Sequence, residues 1–406
     1  MANTLKFIDM VAKEALAIAH EESQFIGTVD RQYDDSFAKS GAKIGDTLRV
    51  RYPNRYKRRQ GSRVMQSSDL VETTGNVTMS YQDGVDIPNL TGKELTLDVD
   101  NPKQVADFSK RFIKPAMATL VSGIEGDFLA FATKNTPNVA GTAGAAITDL
   151  STVGLARAKL NQGLAPKDGR RYIQGDSVTM ASIVNGLKGM FQDSNQIKEQ
   201  YREGMMGRTA MADWYENDRM WTLSNSGDVA GNVNNGSLLS GITALTVNNF
   251  LAAPVAGMVF TVDGVYDCHP ETKARYPHLK QFVVTSASTT NIAFQPAMIY
   301  DTNNPAQNCS GAPGATSAVV FVGAATTNYV QPLMYHQDAF QFVTASLPEY
   351  PMSGNMKQVT YDGLSLRVWM DGDIVNDQLL CRIDIMYGFA ALRADWACRM
   401  IGAASV

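Results

Sequence analysis

Apolar positions near the start of the chain recur at helical spacing. Between residues 4 and 20 they return every three or four positions, with charged side chains opposite. This period is typical of an amphipathic α-helix, and Asn3 or Thr4 supplies its cap. Because the helix precedes any segment that could form a core, we expect it to bury its stripe against a distant part of the chain or against another subunit.

Residues 43–98 have a different period, in which apolar and polar side chains alternate. Turn residues interrupt the alternation at Gly61, Gly75 and Asp83-Gly84. Alternation with turns predicts strands joined as extended arms, with a further strand near residues 95–99.

A long helix is predicted for residues 101–132. Asn101 is a good cap, Pro102 suits the first helical position, and an apolar stripe continues to the end. Pro115 should kink this helix, because proline has no backbone N–H to donate. The Gly, Ala and Thr content of residues 133–148 indicates a loop.

The second half of the chain predicts short helices and then many strands. Residues 150–221 mix the two, with helices expected at 183–191 and 196–203. Residues 222–241 are rich in Ser, Asn and Gly, and the short β-rich runs that follow predict a small inserted barrel or sandwich ending near residue 335. These runs are 242–247, 258–265, 281–285, 291–294 and 318–322. Longer strands return at 339–344, 357–361, 364–370 and 381–389.

Composition limits the class of protein. The 406 residues suffice for two or three packed units, and the net charge of −4 argues against a dedicated sequence-specific DNA-binding protein. The four cysteines are far apart, which favours reduced thiols over a disulfide framework. The longest apolar run, 318–325, is too short to span a membrane, and the start lacks a signal-peptide pattern. We therefore expect a chain that folds without secretion.

One segment is strongly basic, although the chain as a whole has a net negative charge. Residues 49–63 read RVRYPNRYKRRQGSR and hold seven cations with no acid: Arg49, Arg51, Arg55, Lys57, Arg58, Arg59 and Arg63. Such a segment cannot bury enough apolar surface to fold alone. It is a solvated loop, a phosphate-binding surface, or a partner for carboxylates of a neighbouring copy. The third interpretation is favoured, because many weak pairs acting together fix a register.

Catalytic and metal-binding motifs are weak. No nucleophile elbow, Walker loop or dinucleotide fingerprint is present. Cys268, His269 and His278 lie close in sequence but lack a fourth zinc ligand unless Cys309 reaches across. Asp371-Gly372-Asp373 is more typical of a turn than of a catalytic pair. The cluster of Trp214, Tyr215 and Trp221 favours packing over base stacking. We predict no enzymatic activity and no cofactor.

Several segments, in order along the chain, resemble the bacteriophage P22-type major coat (capsid) protein family. The opening MANT and the apolar helix come first. They are followed by 29-VDRQYDDSF-37, 43-KIGDTLRVRYP-53, 203-EGMMGRTAMADWYENDRM-220, 257-GMVFTVDGVYDCHPETK-273, 281-QFVVT-285 and 380-LCRIDIMYGFAALRADWA-397.

The resemblance implies an α+β, HK97-like capsid fold with an inserted small β-barrel. The implied parts are an N-arm (1–40), an E-loop (41–90), a peripheral domain with the spine helix (91–149), a first axial part (150–221), the barrel (222–335), and a second axial part with the C-terminal peripheral strand (336–406). The chain departs from some relatives in lacking a long acidic loop after Thr222. Any bridge between capsomers that such a loop makes is not expected here.

The implied function is that of a major capsid protein of a tailed bacteriophage, assembling into hexamers and pentamers of an icosahedral shell around dsDNA. Implied partners are other copies, a scaffolding protein, a portal protein at one vertex, and DNA bound without sequence readout. No membrane partner is expected, and assembly takes place in the host cytoplasm. The alternatives are a tube or decoration protein, a hydrolase using Asp371 and Asp373, and a carbohydrate-binding barrel.

Overall fold

The computed structural model describes most of the chain, in two compact units. The described residues are 7–31, 47–56, 58, 61, 63–64, 74–91, 109–186, 207–235, 238–348, 356–361, 363–373, 375 and 378–403. The first unit draws on Met1–Val50, Gly75–Phe128 and Phe340–Ala390, and the second on Arg51–Thr74, Leu129–Ala339 and Ala391–Val406. Each unit is therefore built from segments that are distant in sequence.

The described elements are five α-helices, short π- and 3₁₀-helical turns, and many strands. The helices are α1 (Phe7–Glu22), α2 (Phe25–Thr28), α3 (Lys114–Asn135), α4 (Leu150–Gln162) and α5 (Ser177–Gly186). The strands are β1 (Thr47–Arg51), β2 (Thr74–Thr78), β3 (Tyr81–Thr91), β4 (Val139–Ala140), β5 (Arg171–Gly175), β6 (Arg208–Thr209), β7 (Ala212–Glu216), β8 (Thr222–Ser224), β9 (Ala230–Val233), β10 (Ile242–Asn248), β11 (Val259–Cys268), β12 (Arg275–Ala287), β13 (Asn291–Met298), β14 (Ala318–Phe321), β15 (Asn328–Val330), β16 (Leu333–His336), β17 (Phe340–Ala345), β18 (Met356–Tyr361), β19 (Leu364–Asp373), β20 (Gln378–Ala391) and β21 (Ala397–Met400).

The first unit is built on an antiparallel sheet. Its order is β17-β20-β19-β18, and β3 pairs with β20. Along β19, the alternate residues Leu364, Leu366, Val368 and Met370 are apolar and buried, and Ser365 and Arg367 between them are buried polar residues. The predicted strands at 339–344, 357–361, 364–370 and 381–389 are confirmed within a few residues.

Helix α1 completes the core of the first unit. Its buried residues are Val11, Ala12, Ala15, Leu16, Ile18 and Ala19, and it packs on β18 and β19. Of the two predicted locations for this stripe, the distant part of the same chain is therefore the one observed.

The backbone pattern of the long helix changes where proline predicts it. A π-helical turn, Ser109–Ile113, directly precedes α3, and Pro115 is the second residue of α3. Proline has no N–H for the carbonyl four residues earlier, so regular α-helical bonding is interrupted there. The predicted start of this helix at Asn101-Pro102 lies outside the described residues.

The second unit contains a mixed sheet in the order β4-β21-β16-β5-β7-β6. Strands β4 and β21 pair in parallel, as do β5 and β7. Helix α4 packs on β21 and β4, burying Val153, Ala156 and Leu160. Asp149 caps α4 by accepting the Ser151 N–H at 3.0 Å. Helix α5 overlaps the predicted 183–191 but begins earlier, and the predicted helix 196–203 lies outside the described residues.

The second unit also contains a closed six-stranded barrel. Its strands follow the order β10-β13-β12-β11-β14-β9. Phenylalanine rings fill it: Phe260 lies 5.6 Å from Phe282 and 5.5 Å from Phe321, and Phe282 lies 5.1 Å from Phe294, between ring centroids. The predicted inserted barrel is confirmed, and closure leaves it without a free sheet edge.

Candidate inter-subunit surface

The basic segment lies between two paired strands. Strands β1 and β2 form a two-stranded sheet, and Thr47 and Thr78 bring their hydroxyl oxygens to 3.4 Å. The seven cations begin within β1 and continue into the connection towards β2. The pairing agrees with the extended arm that the alternating pattern predicts.

The described cations of this segment are exposed. Arg49, Arg51, Arg55, Arg58 and Arg63 all expose their side chains, while Lys57 and Arg59 lie outside the described residues. Within the described ranges, Arg49, Arg51, Arg55 and Arg58 form no salt bridge. Their guanidinium groups therefore remain available for bidentate bonds to carboxylates or phosphates.

The start of the segment is packed on its own unit through Tyr52. The Arg393 guanidinium lies 5.7 Å from the centroid of the Tyr52 ring and 4.3 Å from that of Trp396. Burial raises the pKa of Tyr52. Trp396 in turn donates its indole N–H to the Gly163 carbonyl at 2.9 Å. The segment is thus fixed at Tyr52, between the exposed cations Arg51 and Arg55.

Two large apolar side chains accompany the cations. Tyr56 and Val64 are each 74% exposed. Tyrosine and arginine together are the composition of protein–protein binding hot spots. Sequence reasoning weighed only the charges here, although the signal for Tyr56 was visible as an aromatic residue inside a polar run.

The N-terminal segment is attached to its own unit by a buried carboxylate. Glu125 of α3 is fully buried and accepts backbone N–H groups of Gln24 at 2.6 Å, Phe25 at 2.7 Å and Ile26 at 3.3 Å. The Phe25 ring lies 4.7 Å from that of Phe128. A carboxylate satisfying several orphan donors at the start of a short helix is a strong local anchor.

The cysteine and histidine residues considered for zinc are used structurally. The four cysteines are free and buried. Asp267 lies 3.1 Å from the Lys280 amine and 3.4 Å from His278 Nε2, while His269 Nδ1 accepts the N–H groups of Glu271 and Thr272. Across the described residues, no group of three or more His, Cys, Asp or Glu side chains is placed to hold a metal ion.

The remaining candidates also have structural positions. Asp371 and Gly372 belong to β19, so the turn predicted for Asp371-Gly372-Asp373 is wrong, because the hairpin strand continues through it. Nothing is described for the Asp373 side chain. Trp214 is buried in the sheet core and Trp221 packs on the barrel core, in agreement with the packing interpretation. None of the described helices is both long enough and apolar enough to cross a membrane.

Residues 216–402 match the family model described as P22 coat protein, gene protein 5. The matched segment is a little under half of the chain and is similar to the P22 coat protein family. It contains the whole barrel and strands β16 to β21. The basic segment and α1 precede it.

Solved phage structures resemble the chain at low identity. The structure of Mycobacterium phage Che8 is 10% identical, covers 93% of this chain with 90% of its own, and has a TM-score of 0.49. The capsid of Ralstonia phage GP4 is 8% identical over 93% of this chain and 88% of its own, with a TM-score of 0.45. The capsid of Cyanophage P-SCSP1u is 10% identical over 91% and 86%, with a TM-score of 0.42. No curated protein matches the chain.

Proposed function

We propose that this chain is the major capsid protein of a tailed bacteriophage and that it has an HK97-like fold. The P22 coat protein match over residues 216–402 carries the proposal. The chain is a structural protein of the virion capsid, and other copies of itself are its main partner. Hexamers and pentamers of an icosahedral shell are the assembly that this similarity supports.

The basic segment serves in this proposal as a contact between copies. The exposed guanidinium groups of Arg49, Arg51, Arg55 and Arg58 form no ion pair with a described carboxylate, and they suit acidic side chains on a neighbouring subunit. One exposed pair contributes roughly 0 to 1 kcal/mol, so a single bridge decides little. A shell repeats the contact in every copy, and the sum then fixes register and orientation.

The proposed division of labour follows the boundaries given by the resemblance. Residues 41–90 act as the E-loop, 91–149 supply the peripheral body, and 150–221 with part of 336–406 form the axial contacts. Residues 222–335 are the inserted barrel. Hinge motion of the arms would allow an early shell to become a mature one.

Further partners belong to the same proposal. A separate scaffolding protein guides assembly, a portal protein occupies one vertex, and dsDNA is held by confinement without sequence readout. Assembly takes place in the host cytoplasm. The chain uses no cofactor and catalyses no reaction.

Particle formation tests the proposal. The chain is expressed with and without a scaffolding partner and analysed by sedimentation and electron microscopy. Closed shells are the expected product. Open tubes or isolated rings would favour a tube protein, and a compact monomer under every condition would contradict any shell role.

A further inference from the structure

A small polar cavity in the second unit has no role in the packing described so far. It has a volume of about 40 Å³, and ionisable side chains of the barrel, of α4, of the basic segment and of the 3₁₀ turn Ala394–Trp396 line it. These side chains are Arg55, Lys159, Lys280, Asp267 and Asp395. The cavity therefore joins the basic segment to the barrel within one unit.

The charges around this cavity are unbalanced towards cations. Lys280 is already neutralised, because its amine lies 3.1 Å from Asp267 and Asp395 also acts on it. Lys159 forms no ion pair within the described residues; burial lowers its pKa, and the charge of Asp267 offsets this only in part. Arg55 stands exposed at the same cavity, also without a described carboxylate within salt-bridge distance. Three cations thus line the cavity with two carboxylates, of which Asp267 already forms an ion pair with Lys280.

A neutral lining group is also incompletely bonded. The Oε1 atom of Gln162, one turn after Lys159, is buried with no hydrogen-bond partner among the described residues. A buried polar atom of this kind is normally satisfied by water or a ligand. Its amide offers an acceptor in one orientation and two donors in the other, so it can serve an anion after a flip.

The cavity is small and polar, with room for a few water-sized groups. A planar carboxylate, with three heavy atoms, is the anionic group that a protein side chain supplies. A carboxylate would also meet Lys159 and Arg55 as charge-assisted donors, and its charge would offset the cost of burying Lys159.

We propose that this cavity is a carboxylate-binding site, occupied in the shell by an aspartate or glutamate side chain of a second copy. Lys159 and Arg55 hold the incoming carboxylate, and Gln162 donates to it. The assignment of the carboxylate to a second copy rests on the proposed shell function. The preference of the cavity for a carboxylate does not depend on that function.

Binding of free acetate to unassembled chains tests whether the cavity binds a carboxylate. Thermal unfolding is followed while acetate replaces chloride at constant ionic strength. The midpoint should rise with acetate and saturate in the wild-type chain, stay flat in Lys159→Met, and rise again in Lys159→Arg, which restores the cation. Lys167→Met is the matched control, because Lys167 is exposed outside the cavity. Equal acetate dependence in wild type and Lys159→Met would overturn the site.

Carbodiimide cross-linking of assembled shells tests whether the carboxylate comes from a second copy. Shells are made from an equal mixture of ¹⁴N- and ¹⁵N-labelled chains, and Lys159 peptides are analysed by mass spectrometry. Lys159 linked to a carboxylate of the other isotope is the expected result. Links only to Asp267 or Asp395 of the same isotope, or no Lys159 link, would overturn the second-copy assignment. Absence of any shell would instead contradict the proposed function.

Discussion

At the scale of single residues, buried charges are the features with the largest consequences. Arg399 is fully buried, has no carboxylate partner among the described residues, and donates to the carbonyls of Thr136 and Gly257 and to the Gln331 side chain. Burial lowers its pKa to about 9, so it is still a cation at neutral pH. Its hydrogen bonds connect β21 to the barrel inside the second unit.

Glu125→Gln tests the anchor of the N-terminal segment. The substitution removes the charge that three backbone N–H groups share, and the free energy of unfolding should fall by about 1–3 kcal/mol. Urea unfolding measures the loss. Asp127→Asn, exposed on the same helix, is the control and should stay within about 0.5 kcal/mol. Equal stability of the two variants would show that the cap contributes nothing.

Thiol accessibility gives a second test at this scale. Burial raises the pKa of Cys309, Cys381 and Cys398 to about 12, and it also raises the pKa of Cys268. Since the thiolate is the reactive form, the folded chain at pH 8 should react slowly with a disulfide reagent. Guanidinium should release all four thiols. Rapid reaction of the folded chain would contradict their burial.

The Asp267–Lys280 pair predicts a pH dependence. Burial alone would raise the pKa of Asp267, but His278 and Lys280 outweigh it and lower that pKa below its usual range. A lowered carboxyl pKa stabilises the folded state above the unfolded value of about 4, and this contribution disappears as the pH falls through the folded value. Lys280→Met should cost about 3 kcal/mol at pH 7. The difference from wild type should shrink below pH 4, as measured by denaturant unfolding.

At the scale of elements, the spacing of apolar residues and the positions of turn residues predicted most strands. They did so because the apolar side chains of a strand are the ones that pack in the core. Strands β10 to β14 and β17 to β20 coincide with predicted β-rich runs, whereas the barrel strand β9 lies in the Ser-, Asn- and Gly-rich stretch and was not predicted. Pro115 lies in the first turn of α3, next to the π-helical turn. The turn at Asp371-Gly372 was wrong because cross-strand pairing with β20 overrides local turn preference. The cavity at Lys159 was not predictable from local pattern, since residues far apart in sequence form it.

Charge reversal tests the basic segment as an element. Arg55, Lys57, Arg58 and Arg59 are changed together to Glu, which should leave the monomer folded and block assembly, because carboxylates would then meet carboxylates. Circular dichroism checks the fold and sedimentation checks assembly. The control carries the same change of net charge at exposed Lys13, Lys110, Lys114 and Lys167. Normal shells from the reversed segment would refute its pairing role.

At the scale of the whole molecule, the described residues form two units, and exposed cations lie within residues 49–63. The N-terminal helix, expected as a possible second arm, buries its apolar stripe on its own unit. This concentrates the proposed inter-copy contact in residues 49–63 and in the cavity that Arg55 lines. Salt should therefore weaken assembly more than it weakens the folded subunit, because exposed pairs are screened and buried pairs much less so.

The most direct test is a high-resolution electron cryomicroscopy map of the assembled particle. We predict that guanidinium groups of Arg49 to Arg63 lie within about 4 Å of aspartate or glutamate oxygens on a neighbouring copy, and that this copy covers Tyr56. A map in which these side chains meet only their own chain or solvent would contradict it.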